Sequence, residues 1–241
     1  MTVVPFLHIT TRIEGRKDEG LLSEKGGRGF PHIVFMDETG GVVAVQGDRS
    51  VAGFQKTLAE SVQQFLDLRA KAQSGDAAAQ IEFALLEGDL GRIPFADLQN
   101  RLKGKKLSDA QKVRVGDIEL GTLIAEVDKA REDAARGAAM KSVADAYAAG
   151  RLPSGSERKM EFLGIVLRHG LVTEDPDLAQ KAIDTLKPLY EEAYGKDNPK
   201  LQQHLQQVSD KIAELRDAKA GGCGSDEGIE EGCGEESEGS K

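Results

Sequence analysis

Tryptophan is absent from this chain of 241 residues, and aromatic side chains make up only 5% of it. A core with so few rings is filled mainly by aliphatic side chains and alanine, which favours helices over strands. The rest of the composition, 39% hydrophobic and 30% charged, is typical of a soluble globular protein. At this length we expect two folded units rather than one.

Long apolar runs are missing too. No stretch approaches the ~18 apolar residues that a membrane-spanning helix needs, and the first residues lack the basic and apolar regions of a signal peptide. We therefore expect no membrane partner and, by default, a cytoplasmic protein, unless a lost segment upstream of Met1 directs it elsewhere.

Acidic residues outnumber basic ones, 41 to 32. The net charge of −9 argues against sequence-independent binding of nucleic acid, because phosphate neutralisation needs concentrated lysine and arginine. Residues 221–241 carry seven acidic side chains and one lysine, a net charge of −6. This glycine-rich stretch has too few apolar residues to fold, so we predict a disordered acidic tail over residues 220–241.

The only two cysteines, Cys223 and Cys233, lie in that tail. Their spacing does not match the pair of a thiol–disulfide enzyme, in which a second cysteine close by resolves the mixed disulfide. Without a neighbouring histidine they are also a weak set of metal ligands. The sequence therefore predicts no catalytic residue, no metal site and no cofactor, and it leaves the role of these thiols open.

The clearest local pattern is a β-hairpin. Two short apolar runs rich in β-branched residues, 33–36 and 42–45, flank a glycine-containing turn. Pro31 stands just before the first run, where it removes a backbone donor only at the start of the ladder. An X-Pro bond is also the one place where a cis peptide costs little, about 0.5–1 kcal/mol.

After the hairpin the apolar period changes from two to about 3.6. Ser50 can cap the first turn of a helix with its hydroxyl oxygen. We expect this helix to cover the sheet with one apolar face, formed by Val51, Phe54, Leu58, Val62 and Phe65.

This order of residues resembles the C-terminal half of a thioredoxin-like domain over roughly residues 3–68. The most specific part is Gly29-Phe30-Pro31, then a strand, Asp37, a glycine turn and a second strand. The resemblance implies a cis bond at Pro31 and a contact of Phe30 and Pro31 with an extended peptide substrate. His32 stands where the family has a threonine, and we expect it to be a detail of the fold rather than a base.

The N-terminal residues fit this resemblance only in part. Residues 3–9 predict a buried strand, with Pro5 favouring an edge or a strand start, and a short helix is expected over 18–25 before Gly26-Gly27. In the family, the strand that precedes the Cys-x-x-Cys helix lies between residues 3–9 and the first hairpin strand. That half is absent here, which would leave a gap in the sheet.

Beyond a boundary at Ser74-Gly75 every signal is helical. Glycines and prolines punctuate the pattern, with Gly170 predicted to end one helix and Pro94 to occupy the first position of another. Asp175-Pro176 and Asn198-Pro199 each combine a capping side chain with a proline at the first helical position. The pattern favours helices within residues 76–88, 94–104, 108–127, 134–150, 156–170, 175–189 and 198–215.

The sequence thus predicts an α+β unit over 1–72 (strand, short helix, hairpin, helix), an all-α domain over 75–219 and the tail. The helical domain is either an irregular bundle or a stack of repeated helix pairs. Two functions follow. In the first, the chain is a relative of thiol–disulfide oxidoreductases without redox activity of its own, and its reactive half lies upstream of Met1 or is supplied by a partner. In the second, it is a non-catalytic module whose helical domain binds a protein or peptide partner.

Overall fold

The computed structural model describes residues 4–7, 20–27 and 29–221. Over these ranges the chain is mainly helical, with one two-stranded antiparallel sheet. The elements run as follows: α1 Leu21–Glu24, β1 Val34–Met36, β2 Val42–Val45, α2 Val51–Thr57, a π-helical turn Leu58–Val62, α3 Gln63–Gln73, α4 Ala77–Asp89, α5 Phe95–Leu102, α6 Asp109–Lys129, α7 Asp133–Ala148, α8 Ser156–Val172, α9 Pro176–Tyr194 and α10 Pro199–Gly221.

The predicted hairpin is confirmed. Val34 pairs with Val45 and Phe35 with Ala44, and a bulge shifts the register at Met36, which pairs with Val42. Gly40 in the connecting turn has φ 77°, a left-handed conformation that suits glycine. The peptide bond between Phe30 and Pro31, just before β1, is cis as expected.

One face of the hairpin is covered by the helix that begins after Ser50. The Ser50 hydroxyl accepts a hydrogen bond from the Gly53 amide, which confirms the predicted cap. The π-helical turn joins α2 to α3, so residues 51–73 form one helical rod. Its buried residues pack against the sheet in a cluster formed by Val43, Ala44, Val62 and Phe65, with Phe35 and Leu58 at its margin.

The prediction of a buried strand over residues 3–9 is wrong where the structure describes it. Val4 to Leu7 form no regular structure, and Val4, Phe6 and Leu7 are 83%, 69% and 82% exposed. An apolar run becomes a buried strand only when a neighbouring strand satisfies its backbone groups. No strand of the described residues does so, because the sheet consists of β1 and β2 alone.

Each helix predicted beyond residue 75 is present, and each packs against the next along the chain. Helix α4 also contacts α6, and α6 contacts α8. The largest apolar cluster lies among α6 to α10, and a smaller one joins α4, α5 and α6. The turn at Ser74 and Gly75 separates α3 from α4, and Phe83 and Leu86 of α4 pack on the cluster around Phe65.

Two local expectations need correction. Gly170 does not end α8, which continues to Val172. A Cβ atom at Gly170 would lie 2.8 Å from the Ala179 backbone nitrogen, so this glycine allows close approach of α8 and α9. Pro94 is the residue before α5 rather than its first residue.

The C-terminal helix extends slightly past its expected end. Helix α10 runs through Gly221, two residues into the stretch predicted as tail, and residues 222–241 lie outside the described ranges. Its Asn198 cap is confirmed by bonds that the Asn198 side chain accepts from the Lys200 and Leu201 amides. None of the helices described combines the length and apolar character needed to cross a membrane.

Candidate functional site

The outer edge of β1 has no partner strand among the described residues. The Gln46 amide donates to the Ile33 carbonyl at 2.9 Å, and the Asp37 amide donates to the Gly41 carbonyl at 3.0 Å. Because the direction of backbone groups alternates along a strand, those of Val34 and Met36 point away from β2. Within the described ranges no other strand pairs with β1.

Apolar side chains surround this edge. Phe30, next to the cis bond, is 67% exposed, and Met36 is 38% exposed. Val34 and Val45 are directly opposite each other and share the face turned away from α3. We call Phe30, Pro31, Val34 and Met36 the strand-edge site. It joins unpaired backbone donors and acceptors to side chains that can contact an extended peptide.

The Asp37 carboxylate anchors the turn that follows β1. One oxygen, Oδ1, accepts bonds from the Thr39 amide at 3.0 Å, the Thr39 hydroxyl at 2.6 Å and the Gly41 amide at 3.1 Å. The other, Oδ2, accepts from Arg92 Nη2 at 2.6 Å. Only 3% of the Asp37 side chain is exposed, so this carboxylate fixes the turn from inside the protein.

Arg92, just after α4, connects that turn to helices α4 to α10, which we call the helical body. Its Nη1 donates to the Val42 carbonyl at 3.1 Å, and its guanidinium lies over the Phe65 ring, 5.0 Å from the centroid. A Cβ atom at Gly41 would lie 2.5 Å from Arg92 Cζ, so a larger residue there would displace this guanidinium. Arg69 of α3 lies 3.6 Å from Asp37 Oδ2. The turn after β1 is therefore held by Arg69 of α3 and by Arg92 from the segment that follows α4.

The ionisation of Asp37 reflects these contacts. Burial, the largest single influence, raises the pKa of its carboxyl group. Hydrogen bonds from the Thr39 side chain, Arg92 and the Thr39 backbone, together with the charge of Arg92, act in the opposite direction and outweigh burial. The pKa of Asp37 therefore lies below its ordinary value, and the carboxylate is charged near neutral pH.

A concave surface, separate from the strand-edge site, runs along the helical body. Cavities of about 530, 1070 and 710 Å³ follow one another from the hairpin turn to α10. Arg92 and Lys129 line the first two, and Glu157 and Glu161 line the last two, so the three are adjacent. We call this surface the helical trough.

The end of the helical trough nearest α10 contains two tyrosines. The rings of Tyr190 and Tyr194, one turn apart on α9, lie 5.8 Å apart between their centroids. Burial, and to a smaller extent the neighbouring Tyr194, raises the pKa of the Tyr190 hydroxyl. His204 of α10 is exposed on the same surface. This end offers ring faces and a few polar atoms to a ligand.

Phe30 and Pro31, the site residues predicted from the sequence, lie together at the surface beside β1. His32 holds a structural position, since its Nε2 lies 3.0 Å from the Lys25 carbonyl. Cys223 and Cys233 lie outside the described residues. Within the described ranges no group of three or more histidine, cysteine or acidic residues is arranged to hold a metal ion.

Sequence reasoning missed the pairing of Asp37 with Arg92 and the two tyrosines of the helical trough. Asp37 at the start of an Asp-Glu-Thr-Gly-Gly turn is a recognisable signal for an aspartate that bonds to its own turn. No comparable signal marks Arg92.

Comparisons of the chain with protein-family models, with curated proteins and with solved structures find no match.

Proposed function

We propose that this protein is a thioredoxin-like binding protein without redox activity of its own, and that it holds extended peptides at the strand-edge site. The order of elements after Pro31 supports this proposal: a strand, a glycine turn, a second strand and a helix across one face. In the family that this order resembles, the same region contacts extended substrates.

The observation that carries the proposal is the open edge of β1. The backbone groups of Val34 and Met36 point outward, and an extended peptide placed beside them would add a third strand to the sheet. Main-chain hydrogen bonds of this kind supply affinity with little dependence on sequence. Contacts with Phe30 and Met36 would then favour peptides with apolar side chains.

Binding rather than catalysis is proposed because thiol–disulfide exchange needs a thiolate at the bound peptide. The strand-edge site contains no cysteine, and the chain has only the two in its last nineteen residues. A protein truncated after residue 221 should therefore not accelerate the reduction of insulin by dithiothreitol above the rate without protein. Acceleration by that protein would contradict the proposal.

A titration with a fluorescent extended peptide of alternating apolar and polar residues tests the binding itself. Met36→Pro removes a backbone donor that points outward and leaves the hairpin bonds in place. We expect about tenfold weaker binding, equivalent to ~1.4 kcal/mol. Val45→Pro is the matched control, because the amide of Val45 points to the other edge of the hairpin. Equal losses in the two variants would place the peptide elsewhere.

Phe30→Ala gives a second test that does not depend on the backbone. Its side chain is exposed, so the substitution should leave the fold intact and still weaken peptide binding. Val51→Ala is its control, since Val51 is 76% exposed on α2. Unchanged affinity in Phe30→Ala together with unchanged affinity in Met36→Pro would reject the strand-edge site.

The helical trough supports a second candidate function, the binding of a protein partner by the helical body. Its extent over three adjacent cavities and the exposed Tyr194 favour this function. Tyr194→Ala should then weaken binding of a partner protein, while Met36→Pro should leave that binding unchanged. If Met36→Pro weakens the binding and Tyr194→Ala does not, the strand-edge site is the functional surface.

A further inference from the structure

We propose that the strand bound at the strand-edge site is residues 4–7 of a second copy of this chain, so that two copies exchange strands in a symmetric dimer. This inference rests on the proposed function, because it names the ligand of that same site. It begins from two unsatisfied features of one chain, an apolar segment in solvent and an open strand edge.

The segment has the character of a strand without a partner. Val4, Phe6 and Leu7 are strand-favouring or strongly apolar residues, and all are mostly exposed. Three such side chains in four residues are costly to leave in water, at about 1.5–3 kcal/mol for each one fully buried instead. The four residues also carry backbone groups that no sheet of the described residues uses.

The position of Pro5 selects which edge of the segment can pair. In an extended strand the backbone groups of Val4 and Phe6 point to one side, and those of Pro5 and Leu7 to the other. Pro5 lacks an amide hydrogen, so the side with Val4 and Phe6 is the one suited to pairing. The backbone groups of Val4 and Phe6 would thus face those of Val34 and Met36 in β1, which have the same spacing.

The two exchanged contacts form a closed dimer. Each copy provides one segment and one strand-edge site, so a two-fold axis satisfies both contacts at once. Pro5 then lies on the new outer edge, where its missing donor discourages a further strand from adding. The exchange should therefore stop at two copies instead of extending into a fibre.

The contact is short, so the dimer should depend on concentration. Two four-residue strands bury less surface than a typical stable interface, and we expect a dissociation constant on the order of micromolar. An extended peptide and the second copy would compete for the same edge.

Sedimentation velocity of the full chain, from below to well above micromolar concentration, tests the inference. The wild type should shift from monomer to dimer, and Phe6→Asp should remain monomeric, since a charged side chain cannot be buried against Phe30 and Met36. Val51→Asp, which changes an exposed apolar residue of α2, should dimerise like the wild type. Pro5→Val restores the outer donor and should produce species larger than the dimer.

A synthetic peptide spanning residues 3–9 separates failure of this inference from failure of the proposed function. It should bind monomeric Phe6→Asp and bind Phe6→Asp with Met36→Pro at least tenfold more weakly. A wild type that stays monomeric at all concentrations, or a dimer unaffected by Phe6→Asp, overturns the exchange. If other extended peptides still bind the strand-edge site in that case, the proposed function stands; if no peptide binds, both fail.

Discussion

Arg92 Nη2 lies 2.6 Å from Asp37 Oδ2, although 55 positions separate the two residues in the sequence. The same guanidinium reaches the Val42 carbonyl and the Phe65 ring. One arginine from the helical body thus contacts the turn, the second strand and the helix behind the sheet. The open edge of β1 is presented on a hairpin that these contacts hold in place.

Removing the charge of Asp37 should destabilise the protein. Asp37→Asn keeps an oxygen for the Thr39 and Gly41 amides but leaves the buried guanidinium of Arg92 without its closest anion. We expect a loss of about 3 kcal/mol in the free energy of unfolding, measured in urea. Asp109→Asn, which breaks the exposed pair with Lys112 at the start of α6, should cost less than about 1 kcal/mol. Equal effects of the two substitutions would show that the Asp37 pair is dispensable.

The same carboxylate predicts a dependence of stability on pH. Because the folded-state pKa of Asp37 is lowered, its contribution is fully present above the unfolded value of about 3.9 and is lost as the pH falls through the folded value. The difference in unfolding free energy between wild type and Asp37→Asn should therefore shrink below about pH 4. Urea titrations at several pH values measure it, and a difference that stays constant down to the folded pKa would contradict this assignment.

Two glycines of α8 should respond to alanine in opposite ways. At Gly170 a Cβ atom would lie 2.8 Å from the Ala179 nitrogen, and we expect Gly170→Ala to cost about 1–3 kcal/mol. At Gly164 a Cβ atom would meet nothing within 4 Å, so Gly164→Ala should stabilise by about 0.5–1 kcal/mol. Thermal unfolding of both variants tests the close packing of α8 on α9. A stabilising Gly170→Ala would refute it.

Local signals predicted most of the helices, while features that need distant partners were missed. The caps at Ser50, Asp175 and Asn198 act within three residues, and the sequence shows them directly. A glycine that ends a helix and one that lets two helices approach look alike in sequence, which explains the error at Gly170. The segment at 4–7 was misjudged because burial of a strand depends on its neighbour.

The candidate site shows the same difference between local signals and contacts with distant residues. Phe30 and Pro31 were recognised from a short motif that includes its own turn. Arg92 was not, because the sequence gives no sign that the segment after α4 meets a turn 55 residues earlier. The resemblance noted for residues 3–68 implies a gap beside the first hairpin strand, and no strand of the described residues fills the outer edge of β1.

Amide hydrogen exchange along β1 tests the central claim most directly. It is measured by nuclear magnetic resonance in Phe6→Asp, which leaves the edge open, with and without a saturating extended peptide. We expect exchange at Val34 and Met36 to slow at least tenfold and exchange at Phe35, which faces β2, to change less. Unchanged exchange at Val34 and Met36 in the saturated complex would contradict strand addition at this edge.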